Sequence, residues 1–286
     1  MNNIKIIKAN GVEALFKIEK LIASLKNAGA AQEVATKIAA DIESIIFDGM
    51  TTREIYKKAF DRLRKHSRPT AARYKLKKAI MELGETGYPF EKFIGELFKA
   101  EGFQVKVGVV VQGKCVTHEV DVIAEMKSKH YMCECKFHNR QGRHCDVKIP
   151  LYIQSRFKDV EQAWKEKSGH ENKFHQGWII TNTRFTSDAT QYAECSGLQL
   201  ISWDYPNGNA IRDRINKYGV HPITCLTTLT KKEKNYLVSK GVVTCKLLCN
   251  QPKMLSYLNI SEKRKKQILL EGKAVCTKQN INPSQI

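Results

Sequence analysis

The chain has 286 residues, 42% of them apolar and 27% charged, with a net charge of +19. That length supports two or three modules with cores of their own. No apolar run nears the ~20 residues that span a bilayer, and no low-complexity run argues for disorder, so a membrane-spanning, fibrous or unfolded chain is excluded. The start, MNNIKIIKANG, lacks a signal-peptide layout, so the protein is expected to be cytoplasmic. Nine cysteines, an odd number, read as buried thiols rather than a disulfide framework. The positive charge is uneven: +7 over residues 1–86, +1 over 87–209 and +11 over 210–286. Basic flanks around a nearly neutral, acid-bearing middle point to nucleic acid as partner, with cations for phosphates beside carboxylates for a metal.

Residues 3–9 predict a short strand and Asn10-Gly11 a tight turn into a second strand through Ala14–Phe16. Ile18, Leu21, Ile22 and Leu25 form the apolar stripe of a first helix. A second is expected over 31–47 and a third over 53–64, capped by Thr51 or Thr52. A basic fourth helix is expected over 70–83. The run I-K-x-N-G-x4-F-x3-K (Ile7 to Lys20), M-T-T-R-E-I at 50–55 and A-x-x-Y-x-L after Thr70 resemble the ATP-cone, a regulatory nucleotide-binding domain. The resemblance covers about 85 residues. It implies that Lys8, Asn10, Gly11, Lys20 and Thr52 hold ATP or dATP, although Ala9 stands where many cones have a second basic residue. It also implies a nucleotide effect on activity or oligomeric state, and with it a homo-oligomer.

Gly84–Pro89 marks a boundary. The next helix carries Phe90, Phe93, Ile94, Leu97 and Phe98 on one face, with Glu91 at its edge. Strands follow at 103–111 and across 117–137, where Asp121 lies among apolar residues and Glu134 and Lys136 share one strand face, opposite Cys133 and Cys135. A helix is expected over 150–165, strands at 178–181 and 198–203, and a helix over 186–195. Zinc on Cys133, Cys135, His138, His144 and Cys145 is disfavoured, because C-x-C-x2-H-x5-H-C matches no usual finger.

The Phe90-Glu91 helix, G-F-x-V at 102–105, Asp121 and the E-x-K of Glu134 and Lys136 resemble the PD-(D/E)xK nuclease superfamily. The nearest likeness is to its type IV restriction endonuclease and Holliday-junction-resolvase-like branch. Val120 replaces the usual proline. The resemblance implies a mixed sheet flanked by helices and, as catalytic residues, Glu91, Asp121, Glu134, Lys136 and, from the following helix, Gln154, with Ser155 or Arg156 as second choices. Carboxylates without His or Cys favour Mg²⁺ or Mn²⁺, held by Asp121, Glu134 and Glu91. A lysine beside them can orient or deprotonate water or stabilise the anionic phosphorane. The plain alternative is a surface ion pair between Glu134 and Lys136.

Beyond the turn at 205–209, a basic helix at 210–218 precedes short helices resembling helix-hairpin-helix elements, whose turn amides grip phosphates. Lys263–Lys266 is the densest basic patch, and the last ten residues read as disordered. The expectation is a multi-domain α/β protein. It comprises an ATP-cone-like hairpin plus helices (1–86), a nuclease domain (87–206) and a basic helical DNA-binding module (207–280). As a whole it reads as a nucleotide-regulated, Mg²⁺-dependent DNA endonuclease. The alternatives are a non-catalytic, nucleotide-sensing DNA-binding protein on a nuclease fold, or a Holliday junction resolvase.

Overall fold

A computed structural model describes residues 4–140, 142–170 and 172–277. The expectation for the chain's tail falls on residues 278–286, outside the described ones. Among the described residues no helix is long and apolar enough to cross a membrane.

The first unit opens with antiparallel β1 (Lys5–Ile7) and β2 (Glu13–Leu15). Gly11 turns the hairpin with φ +81°, its amide donating to the Lys8 carbonyl at 2.9 Å. The helices α1 (Ile18–Asn27), α2 (Gln32–Glu43) and α3 (Thr52–His66) pack Leu25, Ala35, Ile42, Ala59 and Leu63 into one core. The second helix ends earlier than its apolar pattern predicts. The chain leaves it to bond to β1, Gly49 donating to Lys5 O at 2.8 Å and Ile7 to Met50 O at 3.1 Å. Thr51 and Glu54 close a capping box at the start of α3. The expected fourth helix is two, α4 (Arg68–Tyr74) and α5 (Leu76–Met81). They break at Lys75, whose ψ is near zero and whose Nζ reaches Glu82 at 2.6 Å and the Thr224 carbonyl at 3.2 Å.

This helix pair belongs to three cores. Ala71 packs with the first unit, Ala72 and Ala79 pack with the C-terminal helices, and Leu76, Ile80 and Leu83 pack under the central sheet.

The central unit runs α6 (Tyr88–Ala100), β3 (Gln104–Gln112), β4 (Thr117–Met126), β5 (Lys129–Lys136), β6 (His144–Cys145), α7 (Lys148–Lys165), β7 (Phe174–Thr181), β8 (Arg184–Phe185), α8 (Ser187–Ser196) and β9 (Gln199–Ile201). Its sheet has the order β3-β4-β5-β7-β9, antiparallel through β5 and parallel from β5 to β9. The short strands β6 and β8 pair separately. One sheet face, with Cys133, Cys135 and Trp178, covers α6, while the other, with Met132 and Ile179, covers Ile153, Phe157 and Trp164 of α7. The architecture is therefore a mixed sheet with helices on both faces, as the sequence predicts.

After β9, α9 (Ile211–Tyr218) packs Ile211 and Ile215 into the central core, and the C-terminal unit has α10 (Lys231–Ser239), α11 (Cys245–Asn250) and α12 (Glu262–Cys276), with 3₁₀ turns at Ile223–Cys225 and Pro252–Tyr257. The Arg73 guanidinium donates to the carbonyls of Ala274 (2.6 Å) and Thr277 (3.2 Å), so a cation from α4 caps the negative end of α12. Much of the basic charge is spent internally. Arg264, inside the Lys263–Lys266 patch, binds Glu233 at 2.7 Å and the Thr228 carbonyl at 2.9 Å, which leaves Lys263 and Lys266 exposed.

Candidate active site

The β4–β5 ladder runs from Met126–Lys129 to Val122–Cys133 and stops there. The next pair would be Asp121 with Glu134. Instead the Cys135 amide donates to Asp121 Oδ2 at 2.7 Å, so a carboxylate replaces a ladder carbonyl. On the other edge of β4 the register with β3 omits Gly108 opposite Asp121, and Gly108 has φ +63°. Val105 and Val107 pack on the α6 side, while Val109 and Val111 pack on the α7 side. The left-handed glycine thus rotates the strand's faces at the level of Asp121. Asp121 stands where both of its ladders are interrupted, its carboxylate held by the Cys135 amide through Oδ2.

Glu134, 5% exposed, is bracketed by two cations: Lys136 Nζ donates to Oε1 at 2.6 Å and Arg156 Nη1 to Oε2 at 2.8 Å. Arg156 also donates to the Glu119 carbonyl and lies 5.5 Å from the Tyr152 ring centroid. Glu91 enters from the first turn of α6. Burial, and then the charges of Asp121, Glu119 and Glu134, push its carboxyl up to about 7. Burial and then Glu134 push Asp121 up to about 6, against the opposing pull of the Cys135 amide, Lys136 and Arg156. When all are ionised, the four carboxylates of Glu91, Glu119, Asp121 and Glu134 against the two cations Lys136 and Arg156 leave two negative charges. A single divalent ion would balance that excess, and an all-oxygen donor set suits a hard one. Among the described residues Glu91, Asp121 and Glu134 do not all draw within 4.8 Å of one another, as a histidine trio elsewhere does.

Four of the five expected catalytic residues therefore gather here, and Gln154 does not. Its Nε2 donates to the Ser196 carbonyl of α8 at 3.1 Å, and its Oε1 is buried with no partner among the described residues. The reason is helical geometry: Gln154 and Arg156 flank the buried Ile153–Phe157 stripe on opposite sides, and only the Arg156 side looks toward Glu134. Glu119 was not legible as a member; its sole signal is the i−2 spacing from Asp121 that gives both one strand face. The disfavoured zinc set stays apart. Cys133 and Cys135 are buried on the α6 side, and His138 Nε2 lies 3.5 Å from Cys145 Sγ.

In the first unit, a parallel bridge joins Ile7 of β1 to Thr51, the residue before Thr52, which is the first of α3. Asn10 Oδ1 accepts the Val12 amide at 3.3 Å. Lys8 and Lys20 are exposed, Lys20 on α1.

A family model for an ATP cone domain matches residues 4–80, one described as a restriction endonuclease matches 84–205, and one described as AF1548-like, C-terminal, matches 221–276. An uncharacterized protein of Archaeoglobus fulgidus is 36% identical over 183 residues, 64% of this chain and 99% of its own length. The crystal structure of a protein of unknown function, AF1548, is similar with a TM-score of 0.54 at 35% identity, covering 67% of this chain and 98% of that one. With the splayed strands and their carboxylates, these matches place the chain in the AF1548-like family: it carries a restriction-endonuclease domain of the PD-(D/E)xK superfamily behind an N-terminal ATP cone.

Proposed function

We propose that the protein is a divalent-metal-dependent DNA endonuclease regulated by an adenine nucleotide. Residues 1–86 sense ATP or dATP, 87–206 cut and 207–280 hold DNA. The observation that carries this reading is the buried Glu134, paired with Lys136 and Arg156 beside an Asp121 released from both ladders. Asp121 and Glu134 would hold Mg²⁺ or Mn²⁺, with Glu91 reaching it directly or through water. When bound, such an ion lowers the pKa of a water and offsets charge on the phosphate. Lys136 orients the attacking water and places its ammonium where phosphorane charge develops. Arg156 fixes the Glu134 carboxylate through Nη1 while its Nη2 holds the Glu119 carbonyl. Lys8, Asn10, Gly11, Lys20 and Thr52 supply the nucleotide site by the cone resemblance.

The test is supercoiled-plasmid cleavage with Mg²⁺ across ATP concentrations, with Glu134→Ala and Lys136→Ala as controls. Nicking or cutting lost in both folded variants is expected; cutting that persists in them would overturn the assignment.

One observation favours the second reading, a DNA-binding protein without cleavage: both Glu134 oxygens already have cationic partners. That reading predicts salt-dependent DNA binding and no product at any divalent ion.

A further inference from the structure

A second cluster of ligating side chains lies at the opposite end of the same strands. The parallel β5–β7 register pairs His130 with His175, so the two rings meet side by side on the α7 face. Their Nδ1 atoms are 3.1 Å apart. His170, from the segment joining α7 to β7, stacks on His175 with centroids 5.3 Å apart and planes 7° apart. The His130 ring stands nearly perpendicular to both, at 88° and 85°. One nitrogen from each ring lies within 4.8 Å of the other two. Four residues of strand, about 13 Å, separate His130 from Glu134, so this cluster is apart from the carboxylates.

Core packing alone is a poor account of the trio. His130 and His175 are 4% and 8% exposed, and His175 Nε2 is buried with no hydrogen-bond partner among the described residues. An aliphatic or aromatic filler would avoid that loss. Trp164 covers His130 edge-on at 4.2 Å, while His170 is only half-buried, so the cluster has an apolar wall and an open side. The nitrogen edge of a tetrahedral Zn–imidazole site is ~3.3 Å, from Zn–N lengths of ~2.0–2.1 Å. The His130 and His175 Nδ1 atoms, hydrogen-bonded at 3.1 Å, already stand near that edge, and the unpartnered His175 Nε2 is the alternative donor. Glu125, across the ladder from His130, is tied to Lys173, and Glu161 and Lys165 face His175.

We propose that His130, His170 and His175 bind one borderline transition-metal ion, Zn²⁺ foremost, through three imidazole nitrogens with a fourth position open to solvent. Imidazole donors select such ions over Mg²⁺, so the two sites do not compete for metal. Bound there, the ion ties the α7–β7 connection to the sheet's end and stabilises the fold. The proposal does not depend on the nuclease reading.

The test uses the full-length reduced chain, stripped by chelator and titrated with Zn²⁺ against a chromophoric competitor in excess Mg²⁺. Wild type, His170→Gln, His175→Gln and Cys245→Ser are compared. Cys245 is included because its sulfur lies 3.8 Å from that of Cys225, the competing soft pair. Wild type and Cys245→Ser are expected to hold one equivalent more than the two histidine variants, or to hold it about 100-fold more tightly. Zn²⁺ should raise the Tm of wild type, with EDTA reversing the rise. His170→Gln changes a half-exposed position on a connecting segment, so its fold should survive even if His175→Gln unfolds. Equal stoichiometry in wild type and folded His170→Gln, loss confined to Cys245→Ser, or no binding by wild type would overturn the assignment.

Discussion

The Cys135 amide donates to the Asp121 carboxylate at 2.7 Å across the point where β4 and β5 part. That bond holds Asp121 beside Glu134 although the two repel, and the repulsion with burial pushes Asp121 up to about 6. Asp121→Asn keeps an acceptor for the amide and removes the charge. It should therefore raise the stability of the metal-free protein at pH 7 by about 1–2 kcal/mol, the order set by a shift of two pKa units less compensation. Cleavage should fall by about 100-fold or more. Thermal unfolding and plasmid cleavage on the same sample check both; a variant that is less stable and still cuts contradicts the electrostatic account.

Arg156 and Gln154 provide a paired comparison. Removing Arg156 leaves a buried carboxylate with one cation, so Arg156→Ala should cost about 2–3 kcal/mol and depress cleavage strongly. Gln154→Ala touches the α8 contact and should leave cleavage within about twofold. Equal losses in the two variants would place Gln154 back in the site.

That pair also marks where sequence reading stops. The apolar stripe of Ile153, Phe157 and Trp164 reveals a helix and its buried face, but not which flank looks at β5 and which at α8. The shared face of Glu134 and Lys136 was legible because strand alternation sorts faces without tertiary knowledge, whereas Asp121 was singled out by its place in an apolar strand and by the nuclease resemblance. Two-residue strands such as His144–Cys145 carry no period to detect. The break at Lys75 and the early end of the second helix follow from distant partners, Thr224 and β1. The histidine trio depends on a parallel register between strands 45 residues apart, which no local pattern encodes.

Lys234 on α10 offers a test of pH dependence. Burial, and then Lys75, bring its ammonium down to about 8. The folded chain therefore binds fewer protons than the unfolded one between about pH 8 and 10.5. The penalty is fully present below 8 and relieved as pH rises toward 10.5. Its size is on the order of 3 kcal/mol. Lys234→Met should stabilise the protein at pH 7, with an advantage that shrinks to nothing near pH 10.5, as denaturant titrations at several pH values would show. An advantage constant with pH would point to packing instead.

Arg73 ties α4 to the carbonyls that end α12. Arg73→Ala should cost about 1–2 kcal/mol and speed amide exchange over the last turn of α12. If the nucleotide's signal passes through this contact, the variant should bind ATP with unchanged affinity and lose its effect on cleavage. Isothermal titration and the cleavage assay separate the two readouts.

The α4–α5 pair, with Ala71, Ala72 and Leu76 each given to a different core, makes the cone something other than a detachable accessory. A chain begun at residue 87 would forfeit Leu76, Ile80 and Leu83 from beneath the sheet and leave the C-terminal helices bare along one side. Trimming the cone away must therefore spare residues 68–83, whereas grafting it onto another enzyme must take α4 along, because Ala71 belongs to its core as well.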